Sequence, residues 1–118
     1  MPKEVAEVLI VDDDIGALDA LTDLLDSDGY AVAQARSGLE ALEYLRSNPL
    51  PRLIILDLLM PKMDGWQFLE ERKKDGKLAP IPVVVLTALG PGAAIDANVV
   101  LYKPLNVDRL RRTVREYC

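Results

Sequence analysis

Four short runs of consecutive apolar residues, at 8–11, 53–56, 83–86 and 99–102, constrain this chain most. Runs of this length without polar alternation suit strands buried on both faces, as in a sheet covered by helices on either side. Each run stops at a polar residue: Asp12, Asp57, Thr87 and Lys103 in turn. A fifth, alternating segment at 30–35 reads as another strand.

The intervening segments carry helical spacing. Ile15, Leu18, Leu21, Leu24 and Leu25 recur as one apolar stripe until Ser27-Asp28-Gly29 supplies helix-stop chemistry. Ser37 offers an N-cap before Leu39, Leu42 and Leu45, and Asn48-Pro49-Leu50-Pro51 breaks that helix. Residues 60–65 form a turn-rich loop. Trp66, Phe68, Leu69 and Arg72 to Lys74 then make an amphipathic helix stopped near Gly76, and Asn106 caps a last helix with Val107, Leu110 and Val114 on one face. Strands alternating with helices imply βαβ crossovers. The expected class is therefore doubly wound α/β, a five-stranded parallel sheet with helices on both faces, in one domain over residues 1–118.

Composition excludes several function classes. The net charge of −5 argues against direct nucleic-acid binding, which needs a concentrated basic surface. No stretch approaches the roughly 20 apolar residues of a membrane span, so no membrane role and a cytoplasmic location are expected. With no histidine in the chain, imidazole zinc sites, Ser-His-Asp triads and histidine bases are excluded. The one cysteine, Cys118, cannot form an internal disulfide and reads as an incidental thiol.

In a doubly wound sheet, ligands bind beyond the carboxyl ends of the strands. Asp12, Asp13, Asp57, Thr87 and Lys103 all fall there, delivered by four strands. Any one aspartate after a strand is commonly a helix cap, but several gathered together repel unless a cation intervenes. An oxygen-rich carboxylate cluster suits Mg²⁺, which keeps several waters and takes one or two protein carboxylates plus phosphate oxygens. A hydroxyl and an ammonium beside the metal suit phosphoryl chemistry, which depends on positioning and charge stabilisation and can use a carboxylate nucleophile.

The strings VLIVDDD, LIILDLLMPKMDG, VVVLTAL and LYKPL resemble, in order, the blocks of CheY-like response-regulator receiver domains of two-component signalling, over nearly the whole chain. The resemblance implies strand order 2-1-3-4-5 and phosphorylation on Asp57, with Asp12, Asp13, Asp57 and the backbone carbonyl of Leu59 organising Mg²⁺. Thr87 would follow the phosphoryl group by hydrogen bonding and Lys103 would pair with its oxygens. Ala88 would leave room for the donor, and the Lys103-Pro104 bond is similar to one that is usually cis in the family. The implied partners are a sensor histidine kinase or phosphotransfer protein and a downstream protein target. Such a domain is no conventional enzyme, although it catalyses its own phosphorylation and dephosphorylation.

Among the remaining polar residues, Asp14 and Asp64 read as cap or turn residues, with ligation as the alternative. The arginines of the last helix read as a solvated face, or one that meets an acidic partner.

Two features depart from the family. The connection from Thr87 to Lys103 is about one and a half helical turns short, and Gly90-Pro91-Gly92 discourages a helix there, so the helix between strands four and five is expected to be shortened or missing. Val100 stands where many receivers carry a switch aromatic, with Tyr102 nearby. Output through another face and through a homodimer of altered geometry both stay open. Leu59 and Leu89 flank the site where some relatives have polar residues, which implies slow self-dephosphorylation. Two further readings remain: a phosphate-independent docking module on the receiver fold, and a Mg²⁺-dependent phosphohydrolase, which the absence of a cap domain disfavours.

Overall fold

The computed structural model describes residues 5–58, 65–88 and 95–118. Its elements alternate as expected: β1 (Val8–Val11), α1 (Ile15–Ser27), β2 (Val32–Ala35), α2 (Gly38–Ser47), β3 (Leu53–Asp57), α3 (Gly65–Lys74), β4 (Val83–Thr87), β5 (Val99–Tyr102) and α4 (Val107–Tyr117). The strands form one parallel sheet in the order β2-β1-β3-β4-β5. Among the described residues no helix lies between β4 and β5, in line with the short connection.

Side chains alternate across each strand and build a core on either face. Leu9, Val11, Ile54, Leu56, Val83 and Val85 pack with Leu42 and Leu45 of α2 and Phe68 and Leu69 of α3. Val8, Ile10, Ile55, Val84 and Leu101 pack with Leu18, Leu21 and Leu25 of α1 and Leu110 and Val114 of α4. The uninterrupted apolar runs of β1, β3 and β4 follow from this two-sided burial. No helix among the described residues is long and apolar enough to cross a membrane.

Three helix starts follow their side-chain chemistry. Asp14 accepts from the backbone N–H groups of Gly16 and Ala17, Ser37 from Glu40 and Asn106 from Arg109. Asp14 is thus a cap, as read. At its other end α1 closes with Gly29 at φ 93° and the Tyr30 N–H donating to the Leu25 carbonyl at 3.0 Å. That closure commits the Tyr30 N–H to the helix, and β2 begins at Val32 rather than at 30.

Four side chains depart from the burial that their helical patterns suggest. Ile15, Leu39 and Val107 belong to apolar stripes yet are 52%, 48% and 43% exposed. All three sit in the first turn of a helix, ahead of the first buried apolar side chain of their stripe. Arg72, a charged residue of the amphipathic α3, is buried: its guanidinium donates to the Ala79 carbonyl at 2.9 Å and to the Ile81 carbonyl at 2.6 Å. It thereby holds the turn that leads into β4. Lys73 beside it pairs with Asp96, tying α3 to the segment that precedes β5.

Candidate phosphoryl-transfer site

Parallel register places the polar strand ends side by side. Val11 is paired with Leu56, so Asp12 emerges next to Asp57, and Asp57 is itself paired with Leu86, so Thr87 follows on the adjacent strand. Thr87 is paired with Tyr102, and the Lys103 N–H donates to the Thr87 carbonyl at 2.8 Å, which extends the β4–β5 ladder to the edge of the site. Four strands thus converge on one rim because they are parallel and nearly in register.

One carboxylate oxygen from each of Asp12, Asp13 and Asp57 lies within 4.8 Å of the other two. Asp12 is buried, Asp57 half-buried and Asp13 exposed. Opposite ligands of Mg²⁺ sit about 4.2 Å apart, twice a bond of about 2.1 Å, so the donor set fits a small hard cation with room for water. The Asp12 carboxyl is pushed up from 3.8 to about 6, chiefly by burial and further by the charge of Asp57. The Asp14 N–H, 3.0 Å from Asp12 Oδ1, opposes that rise. A buried carboxylate beside two others needs positive charge, and Lys103 brings its ammonium to 3.8 Å from Asp57 Oδ1.

Thr87 is buried, Ala88 exposed at the mouth of the site, and the Lys103-Pro104 peptide is cis. Leu59, Asp64, Leu89 and Gly90-Pro91-Gly92 lie outside the described residues. Val100 is half-buried against the α2–α3 core, while Tyr102 is 42% exposed.

Sequence reading missed a groove of about 430 Å³ between α1 and the β5–α4 connection. Asp12 and Lys103 line it together with Ala17, Ala20, Leu24 and Leu105. The signal that could have revealed it is the pair of alanines one turn apart on α1, since small side chains leave space beside a neighbouring helix.

Comparison with known proteins agrees with this geometry. The family model of the response regulator receiver domain matches residues 8–115. Response regulator Rre1 of Synechocystis is 35% identical over 119 residues, covering 95% of this chain and 51% of that protein. The chain spans about half the length of the curated relatives it matches. Chemotaxis protein CheY4 of Vibrio cholerae superposes with a TM-score of 0.84 at 30% identity, over 98% of this chain and 100% of that one. TrrA of Thermotoga maritima, crystallised in complex with Mg²⁺-BeF, gives 0.82 at 29% identity, over 94% and 97%. The matched residues take in all five strands and every described polar residue at their carboxyl ends, and on that ground the chain belongs to the receiver domain family of two-component response regulators.

Proposed function

We propose that Asp57 accepts a phosphoryl group from a histidine kinase or a phosphotransfer protein. The observation that carries this reading is the pairing of three mutually close carboxylates with an ammonium 3.8 Å from the central one. A carboxylate oxygen of Asp57 attacks phosphorus, the phosphorus–nitrogen bond of the donor's phosphohistidine breaks, and the imidazole leaves with the electron pair and takes up a proton. Asp12, Asp13 and Asp57, with the backbone carbonyl of Leu59, would hold Mg²⁺, which when bound offsets the charge of the phosphoryl oxygens.

Lys103 pairs with a phosphoryl oxygen once Asp57 carries the acyl phosphate, and Thr87 donates its hydroxyl to another. Ala88 leaves the mouth open to the donor, and Lys103-Pro104 follows directly on β5. The altered charge at this rim then biases a surface read by a downstream protein, in the cytoplasm. The chain acts on its own carboxylate rather than turning over an external substrate.

Beryllofluoride, a mimic of an acyl-bound phosphoryl group, tests the reading by two-dimensional NMR. Amide resonances at the ends of β1, β3, β4 and β5 should shift with Mg²⁺ and shift again with beryllofluoride. A spectrum that ignores both additions would leave the phosphate-independent docking module as the better account.

A further inference from the structure

The strand ends also carry a charge that the phosphoryl site does not use. β2 ends at Ala35, which is paired with Val11 of β1, and the Asp12 N–H donates to the Ala35 carbonyl at 3.1 Å. Arg36 therefore leaves the sheet beside Asp12, as Asp57 does on the other side. In sheet order from β2 to β5 the rim runs Arg36, Asp12, Asp57, Thr87, Lys103, with a cation at each flank and two acids and a hydroxyl between them. Asp13 and Asp14 add two exposed carboxylates at the β1 position.

The two flanking cations differ in their partners. Lys103 is paired with Asp57, whereas Arg36 is exposed and, among the described residues, forms no ion pair with any carboxylate, Glu40 of α2 included. Its backbone is held on both sides, by buried Ala35 and by Ser37, which caps α2. An anionic phosphodonor nearing a rim of carboxylates is repelled, and an uncommitted cation at the edge lowers that barrier. The same charge opposes a divalent cation.

We propose that Arg36 is a positioning residue for phosphoryl transfer to Asp57: it draws the anionic donor to the rim from the β2 flank, opposite Lys103, and holds down the affinity of the rim for Mg²⁺. The inference rests on the reading of Asp57 as the phosphoacceptor. Lys103 stabilises the phosphoryl group at its destination, whereas Arg36 acts at a distance before the bond forms. Its effect is therefore one of charge, screened by salt and supplied equally by another basic side chain.

Arg36→Gln, Arg36→Glu and Arg36→Lys test it, with acetyl phosphate as the donor. At saturating Mg²⁺ and low salt, the second-order rate constant for labelling should fall about threefold in Arg36→Gln and about tenfold in Arg36→Glu, and Arg36→Lys should restore most of it. In molar salt, where the Debye length is about 3 Å, the differences should vanish. Calorimetric titration, which needs no phosphoryl transfer, should show Mg²⁺ bound about threefold more tightly by Arg36→Gln, and more tightly still by Arg36→Glu. A wild type that takes no label would overturn the reading of Asp57 and this inference with it. A wild type that labels while Arg36→Gln and Arg36→Glu match its rate would overturn the role of Arg36 alone. So would a loss that Arg36→Lys shares, a loss that salt does not remove, or an unchanged Mg²⁺ affinity.

Discussion

The Lys103 ammonium lies 3.8 Å from Asp57 Oδ1, with the lysine side chain 41% exposed and the aspartate 13%. An exposed cation thus neutralises a largely covered carboxylate, and it occupies space that phosphoryl oxygens would take. Replacing it separates two roles. Lys103→Met should tighten Mg²⁺ binding, because a competing positive charge is gone, and should slow phosphorylation by about tenfold or more, because a stabilising charge is lost. Calorimetric titration with Mg²⁺ and the rate of phosphorylation by acetyl phosphate read the two effects. Movement of both in the same direction would contradict the assignment.

Asp12 governs the response to pH. Its carboxyl holds a proton more tightly in the folded protein, about 6 against 3.8, so its favourable contribution to metal-free stability is full below 3.8 and is lost as pH rises through 6. Asp12→Asn should therefore stabilise the metal-free protein relative to wild type at pH 7 and much less at pH 4, as urea midpoints would show. In the wild type, Mg²⁺ binding should weaken as pH falls through about 6, because the ion must displace the Asp12 proton. A Mg²⁺ affinity that is flat between pH 5 and 7.5 would contradict this account.

Much of this site was legible in the sequence because its elements obey local rules. Runs such as 53–56 break at a polar residue, so Asp57 is marked by the change of residue type alone, although burial continues past it to Leu58. The caps at Asp14, Ser37 and Asn106 are likewise local, each accepting from a backbone N–H two or three residues on. What could not be read depends on distant parts. Ile15 and Val107 keep helical periodicity but stay exposed in the first turns of their helices, and Arg72 is buried because the turn at Ala79 and Ile81 presents carbonyls that need donors. The groove between α1 and α4 arises from the separation of two helices far apart in sequence, which periodicity does not encode.

Gly65 approaches the strand end that carries Asp57. Its N–H donates to the Leu58 carbonyl at 2.7 Å, and a Cβ placed on it would lie 2.5 Å from that same oxygen. Because the obstacle is backbone, no side-chain rotation relieves it. Gly65→Ala should destabilise the fold by about 1–3 kcal/mol, measured by urea denaturation. It should also weaken Mg²⁺ binding by displacing the end of β3. An unchanged midpoint would show that this close approach is not required.

Arg72 has a structural task remote from the chemistry. Arg72→Met keeps the apolar stem but leaves the Ala79 and Ile81 carbonyls without their guanidinium donors, at a cost of about 1–3 kcal/mol. Denaturation should register the loss, while acetyl phosphate should label the folded variant at the wild-type rate. Slower labelling of folded protein would imply that the β4 entry is coupled to Thr87.

The central claim is that Asp57 takes a phosphoryl group with the help of a divalent ion. Intact mass after incubation with acetyl phosphate and Mg²⁺, beside Asp57→Asn and a chelator-treated sample, tests it most directly. The account predicts a gain of one phosphoryl group in the wild type with metal, and none in either control. No gain in the wild type, or an equal gain in Asp57→Asn, would contradict it.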